Sequence, residues 1–327
     1  MMRKYLPKND TIKEEYKNMT IYSNLNVVNI WLHKNNELDF TDLLKVLNKY
    51  DNKLINIGNI YSRNVFNRLI YTLKNYDYNG RVVIDLLDND YEDNRINIIS
   101  GIENNKKINI EALPKYVKIS GFDVSNKQTE FTTWAHNLNI KDKKILIEKL
   151  TSSSLDRFLE QEKVIINFKN EIFSKYPNFN KLKQKEKMDL LYEYIRVNFP
   201  FSFRDFRKEY ISLWAQNPIE VYRLREGINM GRTNLLTLVS NNSILKVNCT
   251  SAEGYKNGFK HTWNQYVDSD KIIHNYDLSF SLKDVGIRGI KKLGFKVDRM
   301  YPSVIKCIKL SVMKPKKRMI LKNTNNR

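Results

Sequence analysis

Cysteine is nearly absent: Cys249 and Cys307 are the two in 327 residues. So few thiols exclude a disulfide-stapled scaffold and fit a reducing compartment. No apolar run approaches the roughly 18 residues of a membrane-spanning helix. The opening Met1-Met2-Arg3-Lys4-Tyr5-Leu6-Pro7-Lys8 lacks the apolar core of a signal peptide. A cytoplasmic chain without a membrane span is therefore expected. A Gly-rich phosphate loop, a Walker sequence, a leucine-repeat consensus and a basic-aromatic module of RNA-binding type are also missing. No metal and no cofactor is expected, and nothing in the sequence sets an oligomeric state.

Acidic residues are in deficit, 36 against 56 Lys and Arg, for a formal net charge of +20. Lys and Asn are abundant throughout, as an AT-rich coding sequence produces without selection for binding. The excess is concentrated at the end, where residues 285–327 carry 13 Lys and Arg against the single acid Asp298. A solvated basic tail over 301–327 is the simplest reading. The alternative is a tail that holds an anionic partner such as nucleic acid, lipid headgroups or an acidic protein.

What is present divides the chain into pieces: an α/β domain over 1–140, a helical connector over 141–184, a second domain over 185–300, and the tail. In the first domain, Val27–Leu32, Leu54–Ile57, Val82–Leu87, Ile96–Ile99 and Tyr116–Ile119 read as strands. Phe40, Leu43, Leu44 and Leu47 mark one helix. Ser62 is a candidate N-cap for another, carrying Val65, Phe66, Leu69, Leu73 and Tyr76. The first three strands start about 27 residues apart. That period is compatible with a βα repeat, a doubly wound sheet or part of a barrel. Asp85, Asp88, Asp90, Glu92 and Asp93 read first as a polar loop, with cation ligation as the alternative. The charged connector carries Leu146, Ile147, Leu150, Leu155, Phe158 and Leu159 as its apolar stripe.

The second domain is organised around Gly227-Ile228-Asn229-Met230-Gly231-Arg232-Thr233. Gly227 breaks the preceding segment, and Leu235, Leu236, Leu238 and Val239 suit a buried helix. Ile244–Cys249 and Thr262–Val267 read as strands, with Gly254 and Gly258 in the turn between them. His261 opens His261-Thr262-Trp263-Asn264-Gln265-Tyr266, and Asp277 opens Asp277-Leu278-Ser279-Phe280. A His and an Asp on neighbouring strands, facing a helix N-terminus, form the frame of a thiol-type catalytic triad. His33, His136 and His274 have no such pattern around them and read as structural.

These three blocks resemble the transglutaminase-like superfamily, which has a papain-like fold. Its core reads Gly, Val or Ile, the nucleophilic Cys, any residue, Gly, any residue, then Ala or Thr. His, Ala or Thr, Trp and Asn follow, and finally Asp, any residue, Ser or Thr, and Trp or Phe. The resemblance covers roughly residues 185–300 and implies an α+β domain there. It implies His261 as the base and Asp277 as its orienting carboxylate, with an oxyanion-hole donor near Trp214 or Gln216. The nucleophile position holds Asn229, whose carboxamide has no useful ionisable proton. A cysteine there would have its pKa depressed by the helix N-terminus and the imidazole.

The resemblance points to a binding pseudoenzyme with a cleft for a protein or peptide. The alternative is an active peptidase, amidase or acyl transferase using His261 and Asp277 with Cys249, one strand away, or with water. A weaker alternative is a nucleic-acid-associated adaptor working through the tail. Residues beyond about Lys314 offer little apolar surface, so ordering them would not offset its entropy cost. Truncation after Met313 is expected to leave the melting temperature nearly unchanged in calorimetry, and a loss of several degrees would show that the tail packs on the core.

Overall fold

In the computed structural model the 27-residue spacing becomes sheet register: Val27 pairs with Leu54, and Leu54 with Arg81. The structure describes residues 11–33, 40–60, 63–86, 110–122, 130–202, 213–242, 244–256, 259–270, 272–292 and 294–299. Ser62, the 96–99 segment, Asp88, Asp90, Glu92, Asp93, Cys307 and the basic tail lie outside these residues. The described chain forms two compact units, residues 11–159 and 160–299.

In the first unit β1 (Ile12–Tyr16), β2 (Met19–Ser23) and β3 (Val27–Leu32) form an antiparallel meander. Next to it β4 (Leu54–Gly58), β5 (Arg81–Asp85) and β6 (Val117–Ser120) continue parallel to β3, in sequential order. Helix α1 (Thr41–Lys49) crosses from β3 to β4, and α2 (Arg63–Lys74) from β4 to β5. Each crossover steps to the next strand in one direction, so right-handed connections put both helices on the same face. The doubly wound arrangement is therefore not the one adopted.

The strand pattern shows which face that is. Val28, Ile55, Val82 and Val117 lie side by side, as do Ile30, Ile57, Ile84 and Ile119, and all are buried. Leu43, Val46 and Leu47 of α1, and Phe66, Leu69 and Leu73 of α2, complete this core. Alternate residues such as Asn29 and Asn56 take the other face and bond each other, Asn56 Nδ2 donating to Asn29 Oδ1 at 3.0 Å. Strands β1 and β2 were not foreseen, because Ile12–Tyr16 is mostly polar and exposed.

After β6 come α3 (Glu130–His136), α4 (Ile140–Lys149) and α5 (Ser152–Lys175). Asn139 caps α4 by accepting from the Asp142 backbone N–H at 2.9 Å. The expected connector over 141–184 is shared between the units. Leu146, Leu150 and Phe158 are part of the first core, while Val164, Ile165, Phe168 and Ile172 belong to the second. His136 stacks on Phe158 with ring centroids 4.9 Å apart.

The second unit carries α6 (Gln184–Asn198), α7 (Pro218–Leu224) and α8 (Asn229–Ser240). Its antiparallel sheet comprises β7 (Cys249–Lys256), β8 (Phe259–Val267), β9 (Ile273–Asp277), β10 (Leu282–Val285) and β11 (Phe295–Arg299), in the order β10-β9-β8-β7-β11. A short helix, α9 (Ile287–Lys292), precedes the last strand. One sheet face presents Cys249, Tyr266 and Tyr276 to the core formed with α6 and α8. The other presents Ala252 and Trp263 to Ile290.

Two strand expectations need correction. Residues 244–248 are turn and irregular backbone: Asn242 Oδ1 accepts from Ile244 and Leu245, and Lys246 takes a left-handed φ of 55°. Gly254 lies within β7 opposite His261 rather than in a turn, and Gly258 lies outside the described residues. Among the described residues no helix is long and apolar enough to cross a membrane.

Ile57 is fully buried at the centre of the first sheet. Ile57→Ala is expected to remove about 3 kcal/mol of stability, part lost transfer energy and part cavity, measured by urea unfolding of the full chain.

Candidate active site

Helix α8 starts where it does because the backbone before it is pinned. Gly227 N–H donates to Pro200 and Ser202 N–H to Gly227, while Ile228 N–H donates to the Ala215 carbonyl at 3.2 Å. The 3₁₀ turn Leu213–Gln216 lies so close that a Cβ on Gly231 would collide with the Ala215 carbonyl oxygen, and one on Gly227 with Val221. These glycines are required by close approach rather than by unusual φ.

Asn229 is the first helical residue. Its Oδ1 accepts from the Met230 backbone N–H at 2.7 Å, and its Nδ2 stands 3.0 Å from Nδ1 of His261. A backbone N–H can only donate, so the carbonyl end of the carboxamide must face Met230. Nδ2 then donates to the ring, Nδ1 of His261 accepts, and the ring proton belongs on Nε2.

Nε2 lies 2.7 Å from Oδ2 of Asp277, the last residue of β9. The adjacent strands are antiparallel, and Asp277 sits one diagonal step from His261 on the same sheet face. Both side chains are buried, Asp277 to 1% exposure and His261 to 8%. The other carboxylate oxygen accepts from the backbone N–H of Ser279 at 2.9 Å and Phe280 at 3.2 Å. Aromatic rings flank the imidazole: Trp263 stacks at 6.4 Å and Phe280 lies 5.0 Å away, tilted. Phe280 is 46% exposed and forms the solvent-facing lip of the site.

Cys249 does not join this group. It pairs with Tyr266, five positions along β7 from Gly254, the partner of His261. At about 3.3 Å per residue that is roughly 17 Å, and the odd offset turns its side chain to the opposite sheet face. It is fully buried, with Asn264 Nδ2 3.4 Å from its sulfur, and burial pushes the thiol up to about 12. The alternative that Cys249 sits near the imidazole across a hairpin is thereby corrected, and the plainer reading of a small buried thiol in a strand is the one the structure matches. Gln216 is half-buried beside α8, its backbone carbonyl accepting from Asn234 at 3.3 Å. Trp214 lies in the same 3₁₀ turn, its side chain outside what the structure describes. Asp85 ends β5 in the first unit, and among the described residues no group of three or more His, Cys, Asp or Glu is arranged to hold a metal ion.

Sequence reasoning missed the partners of His274. Its Nε2 is 2.9 Å from Asp268 and its Nδ1 bonds Asp284, so both nitrogens face carboxylates and both carry protons. Lys185 on α6 bridges Asp284 at 2.8 Å and Asp189 at 3.5 Å. Asp189 in turn accepts from the Tyr276 hydroxyl, and Lys283 stands 3.9 Å from Asp189. No local pattern flags this cluster, because the acids lie 6 and 10 residues away on a loop and a neighbouring strand.

Burial alone would lower the pKa of His274, but the bonds to Asp268 and Asp284 outweigh it and raise it above its ordinary 6.5. Burial would raise both acids; bonds from His274, and from Lys185 to Asp284, hold them below their ordinary 3.8. The imidazolium contribution is thus complete below 6.5 and fades as pH rises through the elevated folded value. The carboxylate contribution is complete above 3.8 and fades as pH falls through the depressed ones. His274→Gln is expected to cost about 1–2 kcal/mol near pH 5.5. The difference from the parent chain should shrink toward alkaline pH in denaturant titrations run across pH, and a pH-independent difference would refute the ionic account.

No model of a known protein family matches this chain, and no curated protein matches it.

Proposed function

We propose that residues 185–300 are a transglutaminase-like, papain-like domain that has kept the His261–Asp277 half of an acyl-transfer site and lost its thiol. On this reading the protein is a binding pseudoenzyme, recognising a protein or peptide at a cleft beside α8. One observation carries it: the carboxamide of Asn229 occupies the helix-start position and donates to the imidazole nitrogen that a nucleophile would otherwise use. A thiol in that place would receive the helix N-terminus and the ring as its activators. A carboxamide instead closes the hydrogen bonds of both and leaves nothing to attack an acyl carbon.

Supporting this are the order of elements, helix then three antiparallel strands, and the His261–Asp277 bond with the proton on the nitrogen that faces the carboxylate. The position of Gln216 beside the helix start suits an oxyanion-hole donor, with Trp214 as the other candidate. The version of the active-enzyme reading that uses Cys249 loses its support, since that thiol is buried on the wrong face and held far from thiolate formation.

The test is Asn229→Cys. Iodoacetamide labelling near pH 6 is expected to be fast in the variant, at least about tenfold above an ordinary cysteine with pKa ~8.5. His261→Ala in that background should abolish the advantage, and the parent chain should label slowly. A variant that labels no faster than an ordinary cysteine would sink the acyl-transfer reading. Fast labelling of the parent chain that vanishes in Cys249→Ala would sink the pseudoenzyme reading.

A further inference from the structure

Arg232 sits one turn into α8 and is 3% exposed, a cation in the core of the second unit. Among the described residues no carboxylate pairs with it directly, and its Nε has no hydrogen-bond partner. Isolated buried charges are strongly disfavoured, so a guanidinium in this position needs a compensating anion. Its Nη1 donates to the carbonyl oxygen of Leu278 at 3.2 Å. That carbonyl belongs to the same peptide unit as the N–H of Ser279, which donates to Asp277 Oδ1 at 2.9 Å.

The peptide group between Leu278 and Ser279 therefore lies with its oxygen toward a cation and its N–H toward an anion. Each charge polarises the peptide in the sense that strengthens the bond to the other. From the far side, the Tyr192 hydroxyl on α6 donates to the Asp277 carbonyl at 3.2 Å. The turn that holds the carboxylate is thus gripped on two successive carbonyls by two different helices.

We infer that Arg232 and Asp277 form a peptide-bridged ion pair, making Arg232 a positioning residue that holds the Asp277 carboxylate at the angle required by His261. The bridge ties the helix carrying position 229 to the turn carrying the carboxylate, so the three side chains keep register as one rigid group. Burial lowers the Arg232 pKa to about 10, with the nearby Asp277 carboxylate opposing the shift, which still leaves it cationic at neutral pH. As a statement about a positioning role, the inference rests on His261 and Asp277 being the retained half of an acyl-transfer site; the bridge itself does not.

The experiment separates charge from bulk in the full chain. Arg232→Lys keeps a cation, and Arg232→Met keeps apolar volume without one. The readout is hydrogen exchange of the His261 ring Nε2–H and the Ser279 amide, followed by nuclear magnetic resonance near neutral pH. Arg232→Met is expected to speed both exchanges by roughly tenfold or more, the scale of one charge-assisted hydrogen bond, and Arg232→Lys to stay within about threefold of the parent. Equal behaviour of the two variants, or no acceleration in Arg232→Met, would overturn the inference and leave Arg232 as packing.

Should Arg232→Met fail to fold, Arg232→Gln decides, since it keeps a donor for the Leu278 carbonyl and removes only the charge. A roughly tenfold faster Ser279 amide exchange supports the bridge, and an unchanged rate refutes it. None of these readouts depends on a thiol. Failure of the Asn229→Cys labelling would therefore remove the acyl-transfer reading while leaving the bridge intact, and the converse also holds.

Discussion

A carboxylate buried to 1% exposure must find in the protein the hydrogen bonds it has given up in water, and Asp277 is such a group. That requirement orders most of what surrounds it. The chain after β9 folds back at once so that the amides of Ser279 and Phe280 reach one oxygen. The other oxygen takes the ring proton of His261, which leaves Nδ1 as an acceptor. Nδ1 is met by the amide of Asn229, whose carbonyl is turned to the Met230 N–H in the first turn of α8. Every donor in the series has an acceptor, and the direction of each bond follows from the one before.

Such a closed series makes the exchange of a single side chain decisive. In the thiol chemistry that the resemblance implies, the helix N-terminus and the imidazole both act on a group able to lose a proton. In this chain they act on a carboxamide, which satisfies them and stops. The supporting structure in this chain is close-packed: Gly227 and Gly231 admit the 3₁₀ turn and its neighbours against the helix, and Trp263 and Phe280 flank the ring.

The same sheet contains a second histidine wired the opposite way. His274 has carboxylates at both nitrogens, which favour its cationic form, and is tied to α6 through Asp284, Lys185 and Asp189. His261 has one carboxylate and one amide. Two residues of β9, Asn275 and Tyr276, separate His274 from Asp277, so one strand carries both arrangements, and what distinguishes them is the set of groups brought in from neighbouring elements.

The sequence alone determined what depends on neighbours along the chain. Alternating apolar residues marked Val27–Leu32 and Leu54–Ile57, and periodic ones marked α1 and α8, because a pleat and a helix repeat at fixed short intervals. The order of the Asn229, His261 and Asp277 blocks was legible by another route, the resemblance that their residues carry. What it could not determine is set by contacts between residues far apart in the chain. The polar edge strand β1 has no apolar rhythm and takes its form from pairing with β2. Residues 244–248 have strand-like composition, but the cap from Asn242 and the left-handed Lys246 override it. Register alone decides that Cys249 faces away from His261, since one position of offset reverses a side chain in a sheet. The acids around His274 and the peptide between Arg232 and Asp277 come together only when loop, strand and helix converge, which no spacing in the sequence encodes.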